Sequence, residues 1–297
     1  MAHNHSHRSV EGSTTRNLSL TMALNFFITA MEIIGGFISG SLSLVSDALH
    51  NFSDGIALII TYVAMRMSEK PRTLKYTFGL KRVEILAAII NASSLIIISF
   101  FLIKEAIERF FNPSLISGSL MLIVASIGLL ANISGTLLLK KGSKDNLNLR
   151  AAYFHLLSDA VSSLAVIIGA IFIIIFQIYW IDPLLTILIS LYILKEAYKI
   201  TKEAIEILIM SAPREIDVNK IKKEIETLEG IVNIHHIHIW KLNDNQIHFE
   251  THVEVNDSLV SELMPLKEEI ENILKQSFNV SHTTIQFEIS KCKNLIV

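Results

Sequence analysis

The sequence predicts an α-helical membrane protein of six transmembrane helices, followed by a small α/β domain in water. Two observations carry this. Hydrophobic residues make up 51% of the 297-residue chain and charged residues only 18%, against about a quarter charged in an ordinary soluble protein. The apolar residues also fall into six stretches, near 17–38, 43–65, 83–103, 117–139, 152–177 and 180–200. Each is close to the roughly 20 residues a helix needs to span hydrocarbon. The fourth carries no charge between Ser117 and Leu139, and Trp180, Asp182 and Pro183 mark an interfacial turn between the last two.

The positive charges set the expected orientation. The second-to-third link carries Arg66, Lys70, Arg72, Lys75, Lys81 and Arg82, and the fourth-to-fifth link carries Lys140, Lys141, Lys144 and Arg150. The first-to-second and fifth-to-sixth links have no lysine or arginine, whereas the third-to-fourth has Lys104 and Arg109 beside Glu105 and Glu108. Both termini are therefore expected in the cytoplasm. The tail 1–16 is polar and holds His3, His5 and His7. It lacks the basic start, apolar core and small-residue site of a cleavable signal peptide. Its histidines are expected to hold metal weakly at most. The single Cys292 makes no intrachain disulfide, and no basic stripe with interleaved aromatics points to nucleic acid.

After about Pro213 the pattern becomes that of a soluble domain, so the expected division is 1–16 tail, 17–210 membrane domain and 211–297 cytosolic domain. Apolar residues at helical spacing run over 217–229 and stop at Gly230. Alternating stretches at 231–241 and 246–255, joined by Asn243-Asp244-Asn245, predict two strands. A helix over 259–276 and a strand over 283–289 complete the domain. So small a unit has little core of its own, which favours pairing with a second copy.

The second apolar stretch contains His50-Asn51-Phe52-Ser53-Asp54, and the fifth contains His155-Leu156-Leu157-Ser158-Asp159. Both are His-x-x-x-Asp, so each pair lies on one helical face a turn apart. A central Asp costs about 2.5–3.5 kcal/mol on insertion scales, which makes a matched pair of such motifs hard to dismiss as an accident of polarity. A metal site, a proton site and hydrogen bonding between the helices are the readings this leaves. If the two faces meet, two imidazoles and two carboxylates form a four-coordinate set suited to zinc. Nitrogen donors disfavour magnesium, calcium and manganese, while cadmium, cobalt and nickel fit the same set. Asp47 lies about two turns from Asp54 and is expected at the entrance or bonded to backbone. Glu32, Glu84 and Asn132 read as contacts between helices or gating contacts in preference to ligands. No His-Glu-x-x-His motif or nucleophile constellation argues for an enzyme, and bis-histidine haem would leave Asp54 and Asp159 unexplained.

The chain resembles the cation diffusion facilitator family, in particular its zinc-transporting members, over about 17–289. The likeness rests on Gly40-Ser41-Leu42-Ser43-Leu44-Val45-Ser46-Asp47-Ala48-Leu49-His50, Tyr76-Thr77-Phe78-Gly79-Leu80-Lys81-Arg82-Val83-Glu84, both His-x-x-x-Asp motifs, Trp180-Ile181-Asp182-Pro183 and Thr284-Ile285-Gln286-Phe287-Glu288. The resemblance implies a homodimeric antiporter that exchanges cytoplasmic zinc for protons through His50, Asp54, His155 and Asp159. A bacterial inner membrane suits the short loops. It further implies a cytosolic metal site at His235, His252 and Glu288, with His282 another candidate and His236, His238 and His248 bystanders. The link 67–78, with neither Asp nor His, is expected to hold no further site. A membrane metal sensor using the same ligands without transport is the alternative.

Overall fold

The computed structural model describes residues 23, 25–140 and 147–289. His3, His5, His7, Lys141, Lys144, Cys292 and most of stretch 17–24 lie outside them. Six long helices come first: α1 (Asn25–Ser39), α2 (Leu42–Ser68), α3 (Val83–Phe111), α4 (Gly118–Leu139), α5 (Leu147–Phe176) and α6 (Ile181–Leu208). Of these, α2 to α5 are long and apolar enough to cross a bilayer. Then follow α7 (Val218–Glu226), β1 (Ile231–Asn243), β2 (Gln246–Val255), α8 (Met264–Phe278) and β3 (His282–Glu288). The helices α3 and α6 run several residues past the expected ends of their apolar stretches. Lys104, Glu105, Glu108 and Arg109 thus lie in the last turns of α3, where Lys104–Glu108 and Arg109–Glu105 pair at i,i+4.

The chain divides into two compact units, 1–62 with 90–200 and 63–89 with 201–297. The division passes through α2 and α3, so the α2–α3 link belongs with the C-terminal fold instead of with the apolar helices.

In the first unit the helices turn apolar side chains outward, among them Ile90, Ile97, Phe100 and Phe101 of α3. An apolar outer face of this extent is that of a helix whose surroundings are lipid. Inside, α4 and α5 pack through Met121, Val124 and Ala125 against Val166, Ala170 and Ile173, while Ala92 and Leu95 of α3 meet Ile193 and Ala197 of α6. A Cβ on Gly118 would stand 2.8 Å from Ile174, so α4 begins as close to α5 as a helix without a side chain can.

One buried carboxylate organises an end of this unit. Asp182, in the first turn of α6 and fully buried, accepts from Ser41 Oγ (2.6 Å), Leu42 N (2.7 Å), Ser43 Oγ (2.6 Å) and Ser43 N (3.2 Å). It satisfies the orphan N–H groups at the start of α2 that have no partner within their own helix. Gly40 supplies the left-handed turn before α2 (φ 74°) and its carbonyl accepts from Arg109 Nη1 at 2.7 Å.

The second unit is a three-stranded sheet in the order β1-β2-β3, with β2 antiparallel to β1 and parallel to β3. The parallel pair requires a crossover, and α8 supplies it. Ile221 and Ile225 of α7, Ile234 and Ile239 of β1, Phe249 and Val253 of β2 and Ile270 and Leu274 of α8 form the core. Asp217 caps α7 by accepting from Asn219 N at 2.9 Å. The α2–α3 link packs on the same fold. Phe78 stands edge-on to His248 with ring centroids 5.8 Å apart, and Ser68 Oγ donates to Glu84.

Two predictions follow from these contacts. Asp182→Ala strands two hydroxyls and two backbone N–H groups. Thermal unfolding in detergent should show a loss of about 2–3 kcal/mol, with Asp182→Asn intermediate. For His248, burial pushes the imidazole pKa down, aided by His282 and Arg72. Between that lowered value and about 6.5 the unfolded chain binds more protons than the folded one, so this contribution falls as pH falls. Unfolding midpoints at pH 5.5 and 7.5 should therefore differ less in His248→Phe than in the parent.

Candidate metal centres

The α2 motif and the α5 motif face each other. His50 Nε2 lies 3.5 Å from Asp54 Oδ2 and 4.0 Å from Asp159 Oδ1. His155 Nε2 lies 3.4 Å from Asp54 Oδ2 and 3.5 Å from Asp159 Oδ2. The two rings stand edge to face at 6.1 Å. Each imidazole thus touches the carboxylate of its own helix and that of its neighbour, as expected when i,i+4 pairs from two helices meet.

The polar atoms at this crossing do not satisfy one another. His50 Nδ1, Asp54 Oδ2 and Asp159 Oδ2 are buried without a hydrogen bond. A buried polar atom left so is costly, and a cation among two carboxylates and two imidazoles would meet that need. A cavity of about 520 Å³ opens beside the group, lined by His50, Ser158, Asp159 and Ser162 together with Tyr192 and Leu188 of α6.

Asp47 is placed differently from the expectation. It is buried, and it bonds to side chains instead of backbone or solvent: Ser162 Oγ donates to Oδ1 at 2.6 Å and Ser163 Oγ to Oδ2 at 3.4 Å. It therefore clasps α2 to α5 one turn before His50. Ser162 and Ser163 had no motif to reveal them. Glu32 is also buried and accepts from Asn51 Nδ2 at 3.2 Å, linking α1 to α2. Its Oε1 atom lies against Gly128, where a Cβ has no room. Asn132 is buried with both amide atoms lacking hydrogen bonds.

A second group sits on the sheet. His235 of β1 is the registered partner of His252 of β2, and Glu288 of β3 reaches both. His252 Nδ1 to Glu288 Oε1 is 2.8 Å, and His235 Nε2 to Glu288 Oε2 is 3.4 Å. One donor atom from each of the three lies within 4.8 Å of the others. Both nitrogens of His235 and Nδ1 of His252 make no hydrogen bond, and Gln286 Nε2 steadies Glu288 Oε1 at 2.7 Å. Two imidazoles and a carboxylate with unmet buried nitrogens suit zinc, with one coordination position left over.

His282 stands apart from this group. It opens β3 opposite His248, with the rings 4.9 Å apart. Alternation does put it on the same face as Glu288, but six residues along a strand is roughly 20 Å. The shared face was legible in the sequence, and the distance along it rules out a shared ligand set. The strand β1 is also irregular between His235 and His238, where His236 adopts φ 53°. This bulge, invisible to alternation, brings neighbouring residues to the His252 side.

Comparison with known proteins agrees with this architecture. The cation efflux transmembrane domain family matches residues 18–209, and the cation efflux protein cytoplasmic domain family matches residues 213–290. A cadmium, cobalt and zinc/H(+)-K(+) antiporter of Bacillus subtilis is 40% identical over 97% of this chain and 92% of its own length. The zinc transporter ZitB of Shigella flexneri is 36% identical over 98% and 94%. The metal cation efflux system protein CzcD of Cupriavidus metallidurans is 34% identical over 98% and 91%.

Proposed function

We propose that this chain, which belongs to the cation efflux family, exports zinc from the cytoplasm in exchange for protons through His50, Asp54, His155 and Asp159. Its membership makes it a divalent metal efflux transporter of the membrane and not an enzyme. The finer reading, of metal, counter-ion and site, rests above all on one observation. Four ionisable side chains from two helices of an apolar bundle converge, and buried atoms among them make no hydrogen bond.

Zinc is favoured because the set mixes two nitrogens with carboxylate oxygens; cadmium and cobalt, carried by the Bacillus relative, are the next substrates to try. Metal ligands must give up their protons to bind, and an imidazole with an ordinary pKa near 6.5 does so close to neutrality. The site therefore exchanges one kind of cation for the other. Open to the cytoplasm it binds metal and releases protons; open outward it meets protons that displace the metal. Rocking between the two states is alternating access. In this reading six helices cross a bacterial inner membrane with both termini in the cytoplasm, and the domain boundary falls near residue 210. The sheet domain pairs with a second copy. His235, His252 and Glu288 would hold a resident zinc there, neutralising Glu288 and tying β1, β2 and β3 together.

Reconstituted vesicles test the proposal. Asp54→Ala and His155→Ala should each cut metal-driven proton flux to background while the purified protein stays folded and monodisperse. Parent-level flux in either variant excludes the site. An imposed pH gradient should drive zinc uptake against its own gradient, and zinc movement indifferent to pH excludes proton antiport.

A further inference from the structure

The bulge in β1 has a consequence beyond the three-residue group. Between the pairs His235↔His252 and His238↔Glu250 there is one more residue on β1 than on β2. The extra residue is accommodated with His236 in the left-handed region, φ 53°. Side chains with a Cβ avoid that conformation, and histidine is among the few that visit it. The result is an exposed pair whose ring nitrogens point at each other, His236 Nε2 to His238 Nε2 at 3.3 Å, with centroids 4.6 Å apart and the planes nearly perpendicular. The His236 ring lies 4.6 Å from that of His252, so the pair adjoins the three-residue group without belonging to it.

The separation has a chemical meaning. Two nitrogens each about 2.0–2.1 Å from a tetrahedral zinc are roughly 3.3–3.4 Å apart. Exposed imidazoles can satisfy their polar atoms with water, so mutual hydrogen bonding gives little reason to hold the backbone in a disfavoured region. Local strain retained at a cluster of ligand-type side chains is a mark of function. Glu250 is the registered partner of His238 across the ladder.

We propose that His236 and His238 form a second, outer site on the sheet for a borderline divalent cation such as zinc, open to solvent and next to the His235–His252–Glu288 group. Two imidazole nitrogens hold the ion, water fills the remaining positions, and Glu250 lends its negative charge. The outer site takes the ion directly from water, its two histidines being exposed, whereas His235 of the inner group is buried. The proposal is independent of the transport site in the first unit.

The test is equilibrium dialysis of the detergent-solubilised full chain against graded free zinc, with bound metal counted by elemental analysis. Glycine is the right replacement at residue 236, because it keeps the left-handed backbone that alanine would strain. His236→Gly with His238→Gln should bind about one zinc fewer per chain than the parent. His235→Ala should lose a different zinc, and combining all three changes should remove both. Parent-level binding by the paired variant at every zinc concentration overturns the proposal. So does a combined variant that loses no more than His235→Ala alone, since the pair would then belong to the inner site.

Discussion

The arrangement depends on one constraint: carboxylates and imidazoles within an apolar bundle must find partners from another helix. Asp54 and Asp159 are each shared between His50 and His155, so neither motif is complete without the other. The register of α2 against α5 is held one turn away by Asp47 between Ser162 and Ser163. Asp182 of α6 receives the start of α2 in a similar way and so fixes α2 against α6. Neutral hydroxyls and backbone N–H groups do the fixing, leaving the four ionisable side chains with unmet capacity. On the proposed function, binding and release of a cation need that division of labour. Ligands consumed in holding the helices together would bind metal less and release it less cleanly.

The sheet domain solves a similar problem with a strand ladder. Pairing sets His235 against His252, and the parallel addition of β3 brings Glu288 to both. Here the three side chains come from three strands, so an ion bound among them would tie together the whole sheet and not two helices. The α2–α3 link lies on this fold through Phe78 and His248. The polypeptide connecting two of the long helices is thereby part of the unit that carries His235, His252 and Glu288.

Much of this was legible in the sequence, because the governing physics is local. Apolar length located the long helices, and period-two alternation with a turn at Asn243-Asp244-Asn245 located β1 and β2. The matched His-x-x-x-Asp motifs singled out the four side chains that converge. What escaped was set by distant contacts or by departures from regularity. Asp182 read as a turn marker, yet its partners lie some 140 residues earlier. Asp47 was expected at an entrance or bonded to backbone, and only the packing of α5 shows the two serines that donate to it. His282, expected as another candidate for the Glu288 group, lies on the same face of β3 but opens the strand opposite His248, because alternation reports the face of a strand and not the distance along it. The helix α3 outlasts its apolar stretch where Lys104–Glu108 and Arg109–Glu105 pair at i,i+4, and α6 runs on past its own with Ala204 still buried.

The central claim is that a single metal ion sits among His50, Asp54, His155 and Asp159. Zinc-edge anomalous diffraction from crystals of the zinc-loaded protein tests it most directly. The account predicts a peak between α2 and α5 about 2.0–2.1 Å from one nitrogen of each imidazole, with both carboxylates in contact. Zinc density confined to the sheet domain, with these four side chains paired only to one another, would contradict it.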